Sequence, residues 1–250
     1  MKVSDIEGFV DGIIQFVKFT QPEFMDSIAK GQLYMNNINY FVELENRTKL
    51  KGQGDRYDGG NVIREIDFKL LDDDTQEVVL EGITPEAIIR DYSFSRIPIY
   101  CMTALKGSDF IVVDESTKSY IVKPHFTEEV KELMLSSFGS KAVIIDSFPF
   151  QESVENHFRT NNISYDARLV NYTDFNHNGA ERLLNYQNRN IESIFTKDLF
   201  FEHQKEFRIV LDEIETEEPI VINIENFDQN SILCMDTYAF FDEFVIEVLK

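Results

Sequence analysis

The sequence predicts an α+β fold: a single domain over residues 1–250 with a mixed or mainly antiparallel β-sheet core flanked by short helices. Three observations predict it. Apolar residues recur with the period of two that marks half-buried strands in many short runs, and these runs outweigh those with helical spacing. Hydrophobic residues make up 43 % of the 250, with 22 Phe and no Trp, enough for one sizeable core dominated by Phe. No internal repeat, low-complexity segment or linker divides the chain.

Residues 13–19 read as the first strand. Thr20 then suits a helix N-cap, with Glu23 spaced to close a capping box, and Pro22 costs nothing in the first turn. Phe24, Met25 and Ile28 share one apolar face, and Gly31 stops the helix. Residues 33–35 begin a second strand. Residues 41–60 are polar and contain Gly52, Gly54, Gly59 and Gly60, which predicts a long loop of the kind that is usually functional or mobile. Residues 62–68 and 78–80 form the arms of a hairpin turning through residues 72–75. Residues 97–103 are a strong strand, and residues 110–113 and 120–122 a second hairpin. Thr127 caps a helix with Val130, Leu133, Met134 and Phe138 on one face. Residues 142–145 read as a buried strand, 150–158 as a helix and 167–172 as extended. A helix starts at residues 180–184 and runs toward Ile194. Strands at residues 207–211, 220–224 and 244–248 follow.

The formal net charge is -21. A field of that sign repels nucleic-acid phosphates and anionic membranes over most of the surface. The runs Asp72-Asp73-Asp74 and 213–218 read as solvated loops; the sharper alternative is mimicry of DNA, carboxylates standing in for phosphates. Cys101 and Cys234 lie in apolar contexts and are expected as buried, reduced thiols. Asp5 and Glu7 near the start argue against a signal peptide, and no segment is long enough to span a bilayer, so the expected location is cytoplasmic, with no membrane partner.

His125, His157, His177 and His203 have no ligand-like spacing, so no zinc site is expected and no metal ligand is assigned, while the many acids leave carboxylate-only Mg²⁺ or Ca²⁺ binding open. No Gly-x-Ser-x-Gly elbow is present, and Gly52-x-Gly54 lacks the strand–turn–helix setting of a dinucleotide fingerprint. The informative segment is residues 195–211. In an extended strand, Phe207, Ile209 and Leu211 point one way and Gln204, Glu206 and Arg208 the other. That second set is either a compact recognition site or a plain ion pair on a half-exposed sheet, and alternation leaves both open. Lys18 shares a face with Phe16 and Thr20. A lysine in an apolar strand either snorkels to water or reaches a ligand. Thr103 shares a face with Ile99 and Cys101 and is placed to offer its hydroxyl to a cleft. Asp55, Arg56 and Tyr57 in the glycine-containing loop are candidates to touch a ligand, with the loop as a lid.

Two resemblances follow from these residues. The stretch VKFTQPEFMDSIAKGQLYMN, residues 17–36, resembles the opening of ADP-ribosyltransferase-like folds, and QKEFRIVL, residues 204–211, resembles their glutamate-bearing strand, with Gln204-x-Glu206 in the Q/E-x-E pattern. The order YFVELE, GQGDRYDGG, YCMTAL, DARLVNY and FFEHQKEFRI is similar to a broad bacterial and phage-associated family. The first resemblance implies a split sheet, NAD as cofactor, and transfer or hydrolysis at the nicotinamide–ribose bond. It implies Glu206 and Gln204 as catalytic residues, Gln204 helping to choose the acceptor. Lys18 and Thr20 would take the first-motif role near the adenosine ribose or phosphates. Thr103 would stand on the strand where the family has Ser-Thr-Ser, and Arg56, Tyr57 and Arg208 would contact cofactor. Lys18 departs from the family's His or Arg, as does residues 100–103 from Ser-Thr-Ser. The resemblances together imply a toxin or conflict enzyme with a protein or nucleic-acid acceptor and an antitoxin or defence-system partner. The alternative is a non-catalytic acidic binding protein that mimics DNA or inhibits a host or phage defence partner.

Overall fold

The structure, a computed structural model, describes residues 1–225 and 227–250. The chain runs through β1 (Ile13–Thr20), α1 (Pro22–Ala29), β2 (Gln32–Asn37), α2 (Ile38–Thr48), β3 (Gly60–Leu71), β4 (Val78–Arg90), α3 (Tyr92–Ser95) and β5 (Pro98–Lys106). It continues through β6 (Phe110–Glu115), β7 (Ser119–Pro124), α4 (Glu128–Phe138), β8 (Lys141–Asp146), α5 (Ser147–Thr160), β9 (Asp166–Leu169), β10 (Asn171–Thr173) and α6 (Ala180–Gln187). The last part holds β11 (Thr196–Asp198), a 3₁₀ turn (Leu199–Gln204), β12 (Glu206–Val210), β13 (Ile220–Asn223), β14 (Ile232–Asp236), α7 (Thr237–Asp242) and β15 (Ile246–Leu249). This is the expected α+β class, with strand outweighing helix, 39 % against 32 %.

The central sheet runs β13-β2-β5-β1-β8-β14, with β12 and then β9 added beyond β5, every pairing antiparallel. Alternation sorts its side chains between two cores. Phe16, Tyr100, Met102, Val143, Ile145 and Phe207 point to one face and pack with α1 and α5. Val17, Phe19, Leu105, Ala142 and Ile144 point to the other, where α4, α7 and the small β15-β7-β6 sheet cover them. Phe carries much of both cores, as the composition predicts.

One irregularity positions the site. On one edge, β5 pairs with β12 along residues 99–103. On its other edge, β1 pairs with it only from Thr103 onward and β2 only at Pro98 and Ile99. Between these contacts, among the described residues, Tyr100, Cys101 and Met102 have no strand on that second edge, and β1 diverges from β2. The sheet is therefore split at its middle.

Several local expectations are corrected. Thr20 is the last residue of β1, and the cap of α1 is Gln21, which makes no side-chain cap bond; Pro22 alone marks the start. The expected loop at residues 41–60 is half helix: Asn37 caps α2 by accepting the Tyr40 N–H, and Ile38 and Val42, four apart, fix it to the core. Only two buried residues hold that helix, so its apolar periodicity is weak in the sequence. The helix at residue 180 ends at Gln187, and a separate 3₁₀ turn holds residues 191–193. Cys101 is half-buried, but Cys234 lies exposed on β14, the last strand at its end of the central sheet.

Candidate functional site

The split in the sheet opens into a cleft of about 440 Å³. Phe24, Tyr34, Tyr40, Phe41 and Phe138 supply aromatic walls, and Lys18, Thr20, Thr103, Gln204, Glu206 and Arg208 line it as well. Six of the nine residues predicted for the site thus converge here, from β1, β5, β12 and the turn before β12. Asp55, Arg56 and Tyr57 do not line it. Arg56 is exposed and pairs with Glu86 at the root of the β3–β4 hairpin, and the buried Tyr57 donates its hydroxyl to Glu86 at 2.7 Å. Their loop turns them away from the cleft.

The predicted polar face of the 204–211 strand is corrected in two respects. Gln204 is not on the strand: it ends the 3₁₀ turn, and Lys205, at φ 47, turns the backbone before β12 begins. Nor is the face half-exposed. Glu206 and Arg208 are at most 5 % exposed, so both faces of β12 are buried. Buried charges persist only when paired and hydrogen-bonded, and here they are. Arg208 Nε donates to Glu206 Oε1 at 2.5 Å, and its two terminal nitrogens fork onto Asp58 at 2.8 Å each. Lys197 Nζ donates to Glu206 Oε2 at 2.9 Å and to Gln204 Oε1 at 3.1 Å. The Glu206 N–H donates to the Tyr172 hydroxyl, and the Thr103 hydroxyl to the Gln204 carbonyl.

Burial alone would push the Glu206 carboxyl up, but Arg208 and Lys197 outweigh it and hold Glu206 well below the usual carboxylate range. Burial would likewise lower Lys197, and Glu206 overrides it and keeps the ammonium charged. Glu206 is therefore a fixed carboxylate between two fixed cations, Arg208 and Lys197, at the base of the cleft.

Residues 49–59 lie across this cluster. The Gly52 carbonyl accepts from Gln204 Nε2 at 2.7 Å, Asp58 holds Arg208, and the Asp55 N–H donates to the Phe41 carbonyl. The expectation of a lid is corrected: Gly54, Asp55, Tyr57 and Asp58 are buried, so the segment is a strap bolted to the floor. Gln204 has both ends of its amide engaged inside the protein, which makes it a tie between strap and cluster. Asp55 accepts from the Tyr57 N–H through Oδ1, while its Oδ2 is buried without a partner. Burial, with Asp58 nearby, pushes Asp55 up to about 7 against the pull of Lys197 and Arg208.

Lys18 sits where β1 leaves β5. Its ammonium donates to the Cys101 carbonyl, on the stretch of β5 that neither β1 nor β2 covers, and lies 4.5 Å from the centre of the Tyr100 ring. Loss of surrounding water draws its pKa down. Among the described residues it makes no salt bridge, unlike Lys197 and Arg208. Thr20 is buried on the same strand.

Sequence reasoning missed Lys197, Asp58 and Tyr172. Lys197 carried little signal, since Thr196 and Asp198 flank it and a Thr-Lys-Asp triplet reads as an ordinary polar turn. Asp58 and Tyr172 reach the cluster only through the fold. Among the described residues, no group of three or more His, Cys, Asp or Glu side chains is arranged to hold a metal ion, and no helix is long and apolar enough to cross a membrane. No family model, curated protein or solved structure matches the chain.

Proposed function

We propose that the protein is an ADP-ribosyltransferase-like enzyme or toxin that acts on NAD, with Glu206 as the catalytic carboxylate. The observation that carries this reading is an ionised glutamate, fixed from two sides, at the base of an aromatic-walled cleft in a split sheet. The residues present fit NAD: flat aromatic walls suit its rings, the Lys18 ammonium, without a salt bridge among the described residues, suits its phosphates, and Thr20 adds a hydroxyl. NAD supplies a nicotinamide–ribose bond whose cleavage places positive charge on the ribose carbon. Glu206 faces that charge with a carboxylate that needs no reorientation, and preorganised charge is the strongest lever an active site has. Arg208 and Lys197 keep it ionised and immobile. They also draw on its charge, so its effect rests on placement in a water-poor cleft. Conflict between bacteria and phage, a protein or nucleic-acid acceptor, and an antitoxin or defence-system partner belong to this proposal through the resemblance.

The test is release of nicotinamide from NAD by the purified chain, with and without cell extract, followed by chromatography. Glu206→Gln keeps the side-chain shape and is expected to lower turnover at least about a hundredfold. Absence of turnover by the parent under all these conditions, or equal turnover by a folded Glu206→Gln protein, would sink the reading.

One observation favours a second reading, a non-catalytic acidic binding protein, whether DNA mimic or inhibitor of a defence partner. Both Glu206 oxygens already have cationic partners, so the cluster can serve as a purely internal brace. In that case a target protein binds the chain while NAD neither binds nor turns over.

A further inference from the structure

The β3–β4 hairpin is an arm. Its root is fixed: Val62 packs with Tyr57 and Phe175, and Arg64 pairs with Glu86. Beyond that point the ladder skips Glu65, which has φ 53, and its opposite residue Pro85. From Ile66 outward the arm is a two-stranded sheet with, among the described residues, no further strand on either edge. Leu70, Leu71, Val78, Val79, Leu80 and Ile83 are between 47 % and 81 % exposed. A lone two-stranded ribbon is marginally stable in water, and a bare apolar edge invites another strand.

The two edges differ. Pro85 interrupts the β4 edge, since proline offers no N–H for a new partner. The β3 edge has no proline, and its residues 66–70, Ile-Asp-Phe-Lys-Leu, are self-complementary when read antiparallel. With Phe68 opposite Phe68 of a second copy, each Asp67 faces the other copy's Lys69, and each Ile66 faces the other copy's Leu70. On the charged face the internal pair Lys69–Glu81, at 3.1 Å, extends the pattern. A row across the joined sheet then reads Glu81, Lys69 and the second copy's Asp67, with signs alternating. On the opposite face, Phe68 already lies over Gly82 and would sit between two apolar pairs. Shifting the register by two residues sets Asp67 opposite Asp67 or Lys69 opposite Lys69, which like-charge repulsion disfavours.

We propose that the outer edge of β3 is an interface for a second copy of this chain, forming a continuous four-stranded antiparallel sheet about a two-fold axis at Phe68. An axis of this kind is the commonest in homo-oligomers and uses the same patch on both partners. The inference is independent of what the cleft binds.

Analytical ultracentrifugation of the full chain, from micromolar to submillimolar, tests it. The expected result is a dimer that tightens as salt rises, because salt screens the repulsion between two chains of charge -21. Asp67→Lys and Lys69→Asp each convert attractive cross-pairs into repulsive ones and are expected to weaken the dimer about tenfold. In a Cys234→Ser background, Phe68→Cys gives an interchain disulfide under mild diamide oxidation, whereas Ile83→Cys, more exposed but distant from the axis, does not. A monomer at every concentration and salt overturns the proposal. So does a dimer indifferent to both charge reversals, or one in which Ile83→Cys cross-links as readily as Phe68→Cys.

Discussion

Asp55 is the residue whose environment has the clearest consequence for stability. Its carboxyl is buried with one oxygen unpartnered, and burial and Asp58 push it up to about 7 from the ordinary 3.8. A carboxyl raised in the folded state binds a proton there more tightly than in the unfolded chain. The stability it contributes is therefore fully present below about pH 4 and is lost as pH rises through about 7. Asp55→Asn stays neutral and removes that loss. Compared by urea unfolding, the variant gains on the parent by roughly 2 to 4 kcal/mol between about pH 4 and pH 8. A difference between the two that does not change with pH contradicts this account of the strap. Glu206 behaves in the opposite sense. Held low by Arg208 and Lys197, it stabilises the fold at neutral pH, and that contribution is lost only in strong acid. The sequence made Glu206 and Arg208 legible because alternation pairs residues two apart. It could not reveal that the face is buried, since that depends on Asp58 arriving from a distant segment and on the 3₁₀ turn folding Lys197 back onto β12.

At the scale of elements, the strap and α2 are one construction. Gly54 lies so close to α2 that an added Cβ would stand 2.4 Å from the Glu45 backbone nitrogen and 2.8 Å from the Phe41 carbonyl oxygen. Backbone atoms inside a helix cannot yield cheaply. Gly54→Ala is therefore expected to lift the strap from Gln204 and Arg208 and to cost roughly 2 to 4 kcal/mol, read as a lower midpoint in chemical denaturation. An unchanged midpoint would mean that the strap is not part of the folded floor. Strands with long apolar stretches, such as β1, β5 and the continuous run of β8, were legible from the sequence because each face meets its own core. α2 was not, because its buried stripe is only Ile38 and Val42 and most of its surface is polar. The 3₁₀ turn before β12 was hidden for a different reason: the reversal depends on Lys205 in a left-handed conformation, which its residue type does not signal.

For the whole molecule, the governing fact is a charge of -21 around a cleft whose one cation without a salt bridge among the described lining residues is Lys18. The overall field opposes an anionic nucleotide while the cleft attracts it locally, so moderate salt, which screens the long-range part, favours binding. The α+β class agrees with the expectation from the sequence; the split of the sheet and the cleft it creates required the three-dimensional register of β1, β2 and β5. The most direct test of the central claim is the melting temperature of the chain at moderate salt with NAD or ADP-ribose added. Ligand at a hundred times its Kd stabilises a folded protein by about 2.7 kcal/mol, which for a chain of this size raises the midpoint by about 5–10 °C. The account predicts such a rise for the parent and a clearly smaller one for Lys18→Met. No rise with either nucleotide, or the same rise in Lys18→Met as in the parent, would contradict it.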